Sequence, residues 1–221
     1  MVKMPKAVNG KRAKSSARDG SSPPGRKKIE DALRALLKRK YFSAITTAEI
    51  AKTAGVTEAL IYKYFKDKRD LLHEVLAGHL EYYITRAEKE LLAIEGPLNR
   101  LRKIIWMHIH VYTTDRVFAK ILLLEARNYS KYFKSRPYRL VKRYSEALQR
   151  VLEEGIEKGE IRTGLSPSFI KQVILGSIEH VCLTGVVFDR EISADDLTEN
   201  LCEIIYKGIL CPDSGIIRDN K

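Results

Sequence analysis

"TTAEIAKTAGVTEALIYKYFKDKRDLL", Thr46 to Leu72, sets a capping signal, a small-residue turn and alternating tyrosines and lysines in one short stretch. Thr46 and Glu49 have the spacing of a capping box, Ile50 and Ala51 fall on one side of the helix it opens, and Gly55 suits the left-handed residue that ends a helix. Beyond Val56, Thr57 can cap a third helix, "TEALIYKYF", and Asp67 a fourth that begins "KRDLLHEVLAGHLEYYITRAEKELL". Two short helices joined by a tight glycine turn make a helix-turn-helix, and in that motif the second helix enters the major groove of DNA.

Upstream of this stretch, "RKKIEDALRALLKRKYF" repeats Ile29, Leu33, Leu36 and Leu37 at helical spacing with charges on the other face, which predicts a first amphipathic helix. Residues 1–25 have no apolar period and are rich in Lys, Ser, Gly and Pro, so they read as a disordered basic arm. Downstream of Gly96-Pro97 the pattern stays helical, with breaks near Thr113-Thr114, Arg136-Pro137, Gly159, Ser166-Pro167 and Ser193. Five further helices are expected. No segment alternates as a strand does, and no repeat of 20 to 50 residues is visible. The fold class is therefore all-α: an N-terminal three-helix helix-turn-helix domain at 26–72, a larger C-terminal helical bundle domain at 73–211 and a short tail at 212–221.

Charge is distributed unevenly along the 221 residues. Residues 1–70 carry 18 Lys/Arg against 7 Asp/Glu, and the remainder carries 22 against 21. Basicity concentrated in the first third is the footprint of a nucleic-acid surface; an anionic membrane or a merely solvated tail would account for the same charge. Cys182, Cys202 and Cys211 form no CxxC pair and no even set, so neither a zinc site nor a disulfide framework is implied, and a reducing cytoplasm fits. The basic start lacks the apolar core of a signal sequence, and no apolar run is read as long enough to cross a bilayer. No membrane partner is expected.

On the second helix of the motif, Thr57, Glu58, Ala59, Leu60 and Lys63 are candidates to face bases. Leu60 suits a thymine methyl and Glu58 a cytosine amine. Tyr62 and Tyr64 offer hydroxyls to phosphates, and Lys68 and Thr46 or Thr47 stand at helix amino ends where an anion is favoured. Ile61 and Phe65, four apart, should pack inward.

These residues resemble the DNA-binding segment of the TetR family of transcriptional regulators over about residues 27–75. Its pattern of T-x-x-x-I-A-x-x-A-G-V-S, a recognition helix ending L-Y-x-[HY]-F, and K-x-x-L is met by Gly55, Val56, Thr57, Ile61, Tyr62, Tyr64, Phe65, Lys68 and Leu71. Ala59 and Leu60 depart from it, at positions where many members have Gly and Thr or Ser, which bears on base preference. The resemblance implies a homodimer on a palindromic double-stranded DNA operator, and a C-terminal domain that binds a small effector. It implies no cofactor. The stretch "VLEEGIEKGEIRTGLSPSFIKQVILGSIEHV" further resembles TetR-type regulators of fatty-acid degradation, whose effectors are long-chain acyl-CoA thioesters.

Two more sets of residues follow from the helical pattern. Trp106, His110, Phe118, Leu122, Glu125 and Tyr129 mix aromatic bulk with a few polar handles and are candidates to line an effector pocket; ordinary core packing is the competing account. Ile170, Ile174, Ile178, Val181, Leu201 and Ile205 give the last two long helices more apolar surface than one bundle edge should show to water, which a four-helix dimer interface would use. His108 and His110 lie about 200° apart around a helix and make no shared metal site. Two rival functions are an all-α enzyme and a sequence-indifferent nucleoid-type DNA-binding protein. No G-x-S-x-G, Walker, H-E-x-x-H or G-x-G-x-x-G pattern supports the first, and the charge balance after residue 70 opposes the second.

Overall fold

In the computed structural model, which describes residues 23–210, helix α1 (Pro24–Leu37) starts on a proline at its first position, where the missing N–H costs nothing. Ile29, Ala32, Leu33 and Leu37 form its buried stripe. Gly25 therefore belongs to α1. The rest of the expected arm, residues 1–22, lies outside the described residues, as do Cys211 and the expected tail.

A short 3-10 turn, Phe42–Ala44, leads into α2 (Thr47–Ala54), with Phe42 and Ile45 buried beneath it. Thr46 Oγ1 accepts from the Glu49 N–H at 3.1 Å; the return half of the box is absent because the Glu49 carboxylate pairs with Lys40 at 2.7 Å. Gly55 ends α2 at φ 65°, a conformation costly for any residue with a Cβ. α3 (Glu58–Tyr64) follows, with Thr57 at its N-cap position but its side chain making no capping bond. α4 (Lys68–Leu91) is capped by Asp67, whose carboxylate accepts from the Asp70 N–H at 2.7 Å. Ile29, Leu33, Ile50, Ile61, Phe65 and Leu71 close the small core of this head.

The body is built around α5 (Pro97–Thr114), which packs against α4, α7 (Arg136–Glu157), α8 (Pro167–Phe188) and α9 (Ala194–Ile209). The Tyr206 hydroxyl donates to the Leu98 carbonyl at 2.7 Å and pins α9 to α5. Between α5 and α7, α6 (Arg116–Lys120) runs straight into a π-helical turn, Ile121–Ala126, and then a 3-10 turn, Ser130–Lys134. The five expected helices are present, the second of them in these three pieces. Close approach explains one glycine: a Cβ on Gly185 would lie 1.9 Å from Ile192 Cδ1.

α4 belongs to both parts of the molecule, so a domain boundary at residue 72 falls inside one continuous helix. Its Glu74 accepts from Arg26 of α1 at 2.6 Å and from Arg136 of α7 at 3.2 Å.

Two expectations about α8 are corrected. It is long and apolar enough in composition to cross a membrane, although the sequence reading found no such run; its face along Ile170, Ile174, Ile178, Cys182 and Val186 is the protein's own core. For the same reason Ile170, Ile174, Ile178, Leu201 and Ile205 are not a dimer stripe: each is 7% exposed or less within the single chain, and Val181 is half-buried. The apolar side chains these helices turn outward are Phe169, Val173, Phe188 and Ile204.

Candidate functional site

The outer surface of α3 exposes Thr57, Glu58, Ala59, Tyr62 and Lys63, while Ile61 and the following Phe65 turn inward. Glu58 is not a free acceptor, since Thr47 Oγ1 donates to its carboxylate at 2.7 Å and ties α2 to α3. Leu60 and Tyr64 are half-buried: both lean on the start of α1, where a Cβ on Gly25 would come within 3.2 Å of Leu60 and 3.4 Å of the Tyr64 ring. They brace the recognition helix while showing only their edges.

Lys68 departs from its expected role on phosphate. Its ammonium turns inward and donates to the carbonyls of Phe42 at 3.0 Å and Ile45 at 2.5 Å, 4.5 Å from the centre of the Phe42 ring. Burial, then the neighbouring Arg69, holds its pKa below the usual lysine value. The ammonium thereby adds a donor to two carbonyls of the loop before α2, of which that of Phe42 also accepts from the Ile45 N–H at 3.2 Å.

The body contains a cavity of about 720 Å³, open in part to solvent, between α4, α5, the α6 segment, α7 and α8. Leu80, Met107, Val111, Phe118, Leu122 and Leu175 supply much of its apolar wall. His108 lies among them with its ring edge-on to Tyr112 and Tyr144, and its Nδ1 has no hydrogen-bond partner. Burial lowers its pKa to about 4, so the ring is neutral at neutral pH. Arg127 and Glu179 also face the cavity as a two-pronged pair, with N–O distances of 2.7 and 2.5 Å.

Of the expected pocket residues, Phe118 and Leu122 line this cavity. Trp106 and His110, stacked at 4.6 Å, line a neighbouring groove that shares Tyr83, Ala87, Met107 and Val111 with it, and Trp106 Nε1 donates to Asp195 at 2.6 Å. Glu125 and Tyr129 face the head instead. Arg69 on α4 approaches the Glu125 carboxylate at 3.7 Å and lies 5.4 Å from the Tyr129 ring centre and 4.6 Å from that of Phe42. One guanidinium thus touches the loop before α2 and the segment that carries Leu122 into the cavity.

Sequence reasoning missed His108, Tyr112, Arg127, Tyr144 and Glu179. A usable signal existed: Arg127 and Glu179 are charges set inside the apolar runs "ILLLEARNY" and "VILGSIEHV", and Tyr112 follows His108 by one helical turn. Among the described residues no group of three or more His, Cys, Asp or Glu is placed to hold a metal.

An exposed recognition helix on a capped trihelical head, joined by one long helix to a hollow helical body, defines a DNA-binding regulator of the helix-turn-helix class. Residues 29–75 match the model for bacterial regulatory proteins of the tetR family, and residues 76–208 match that for the C-terminal region of YsiA-like proteins. The chain belongs to the TetR family. It is 28% identical over 181 residues to the fatty acid metabolism regulator protein of Bacillus subtilis strain 168, covering 82% of this chain and 93% of that one. It is 30% identical over 145 residues to the nucleoid occlusion factor SlmA of Marinobacter nauticus, covering 66% of this chain and 73% of that one. Among solved structures it superimposes on the FadR regulator of Bacillus subtilis in complex with stearoyl-CoA, with a TM-score of 0.75, 28% identity, and coverage of 83% of this chain and 98% of that one.

Proposed function

We propose that this chain is a repressor that grips a palindromic operator as a homodimer and lets go when a long-chain acyl-CoA enters the cavity of the body. The observation that carries the reading is the apolar cavity itself, walled on one side by Leu80, Tyr83 and Ile84 of α4, the helix whose other end is rooted in the head. The stearoyl-CoA held by the similar Bacillus subtilis regulator favours the same ligand class here. The protein is then not an enzyme, and its place is the cytoplasm, with the DNA.

The dimer face in this reading is the outward side of α8 and α9, with Phe169, Val173 and Ile204 exposed in the single chain. Pairing there sets the separation of two recognition helices, which successive major grooves fix at about 34 Å. Chemistry at the DNA divides between Ala59 and Lys63 toward bases and Tyr62 toward phosphate. A ligand chain against Leu80 and Leu122 presses on both α4 and the segment that Arg69 holds. An effector that binds the released state 100-fold better than the DNA-bound state shifts the balance by about 2.7 kcal/mol per site.

Titration of an operator complex with palmitoyl-CoA, free palmitate and coenzyme A alone tests this. Release by the thioester alone is the expected result. Release by none of the three removes this effector class.

A further inference from the structure

Six titratable side chains line the cavity: Tyr83, His108, Tyr112, Arg127, Tyr144 and Glu179. Burial raises the pKa of all three tyrosines, which keeps their hydroxyls protonated, and the buried imidazole is uncharged. Two charges remain, and they cancel. The Arg127 guanidinium spends two of its five N–H groups on the two carboxylate oxygens of Glu179, so its positive charge is already paired when an incoming carboxylate arrives. Arg127 and Glu179 are half-buried and His108 lies deeper, so the pair stands where an apolar ligand's polar end would come to rest.

Taking the cavity as the effector site, we infer that Glu179 makes this pocket selective for neutral heads: it admits an acyl chain ending in an ester or thioester carbonyl and turns away the free acid. A carboxylate arriving beside the pair sheds its water, meets no net positive charge, and lies close to a second carboxylate. A thioester carbonyl brings no charge to desolvate. Glu179 acts here by setting the charge that Arg127 presents, as a specificity residue.

The test is calorimetric titration of the full-length chain with decanoate and with methyl decanoate, in wild type and in Glu179→Gln. Wild type should bind the methyl ester and bind the carboxylate at least about tenfold more weakly, the order expected when one uncompensated charge is at stake in a partly shielded site. Glu179→Gln, which keeps the shape and frees the positive charge, should shift the ratio toward decanoate by about tenfold or more. Arg127→Met should move it the other way. Equal binding of ester and acid by wild type overturns the inference without any variant, as does binding of neither. A folded Glu179→Gln protein with an unchanged ratio overturns it too. Binding of the ester without release of DNA by palmitoyl-CoA keeps this inference and removes the proposed effector.

Discussion

The head, from α1 to the first turn of α4, and the body, from the rest of α4 to α9, bury their side chains to different ends. In the head, polar groups near the core close backbone: Thr46 and Asp67 cap helices, and Lys68, at the junction, donates to two carbonyls. In the body, polar groups near the core face empty space: His108, Arg127 and Glu179 line a cavity of about 720 Å³. A surface that must meet DNA in one geometry gains from a filled interior. A domain that must accept a ligand needs unfilled volume, and its stability then rests on fewer contacts per residue and on charges that remain sensitive to conditions.

The largest effect that would break or sharpen this contrast comes from two adjacent residues of α8. Ile174 is fully buried and Val173 is 45% exposed. Ile174→Glu should unfold the body, at a cost of about 4 kcal/mol or more for an unpaired buried charge, whereas Val173→Glu should leave the fold intact and weaken self-association. Thermal denaturation and sedimentation velocity on both variants separate the two outcomes. Dissociation of a folded Ile174→Glu chain would put the dimer face back on the inner stripe.

Next in size is acid sensitivity, which the contrast assigns to the body. His108 titrates near 6.5 when unfolded and at about 4 when folded. Between those values the unfolded chain holds a proton that the folded chain lacks, so stability present above pH 6.5 is lost as pH falls toward 4, by about 3 kcal/mol. Glu179 and Arg127 face the ring with opposite signs and leave burial as the dominant cause. His108→Phe should flatten this window in urea titrations across pH. His73, at the junction, is lowered in the same direction by burial and then Arg69, so some slope persists.

The smallest effects concern two lysines of the head. Lys68→Met removes a charged donor from two carbonyls and should destabilise the head by about 2 kcal/mol, seen as a lower urea midpoint. Lys63→Ala, on an exposed side chain, should leave the midpoint alone and reduce the slope of log affinity against log salt by about one. Exchange of these two phenotypes would return Lys68 to the phosphate backbone.

The head was legible in the sequence because its signals are local. Thr46, Gly55 and Asp67 each act within four residues, and Ile61 with Phe65 sit one turn apart on a helix too short for alternatives. The body hid more. α8 is apolar on most of its circumference, so the sequence could not say that Ile174 faces home and Val173 faces out; the helices packed around it, α5, α6, α7 and α9, decide. The Arg127–Glu179 pair joins residues 52 apart. Of the four expected pocket residues that lie outside the cavity, Glu125 departs for a physical reason. Leu122 and Glu125 share a face in an α-helix, but the wider π turn at Ile121–Ala126 breaks that register, leaving Leu122 in the cavity and Glu125 against Arg69.

The long α4 helix also limits how this molecule can be recombined. Twenty-four residues without a break, about 36 Å of rod, run from the loop beside the DNA surface to the wall of the cavity. A chimera that grafts another regulator's head at residue 72 would keep the rod and lose Arg69, parting Phe42 from Glu125 and Tyr129; one that cuts after Leu91 would carry away Leu80, Tyr83, Ile84 and Ala87 from the pocket wall. A graft that preserves both specificities must transplant Arg69 and Phe42 with the head and supply Glu125, Tyr129 and Arg136 to meet Arg69 and Glu74 from the other side. In this chain the root of the head and one wall of the cavity are written in the same helix, and heads and bodies are exchangeable only as matched pairs.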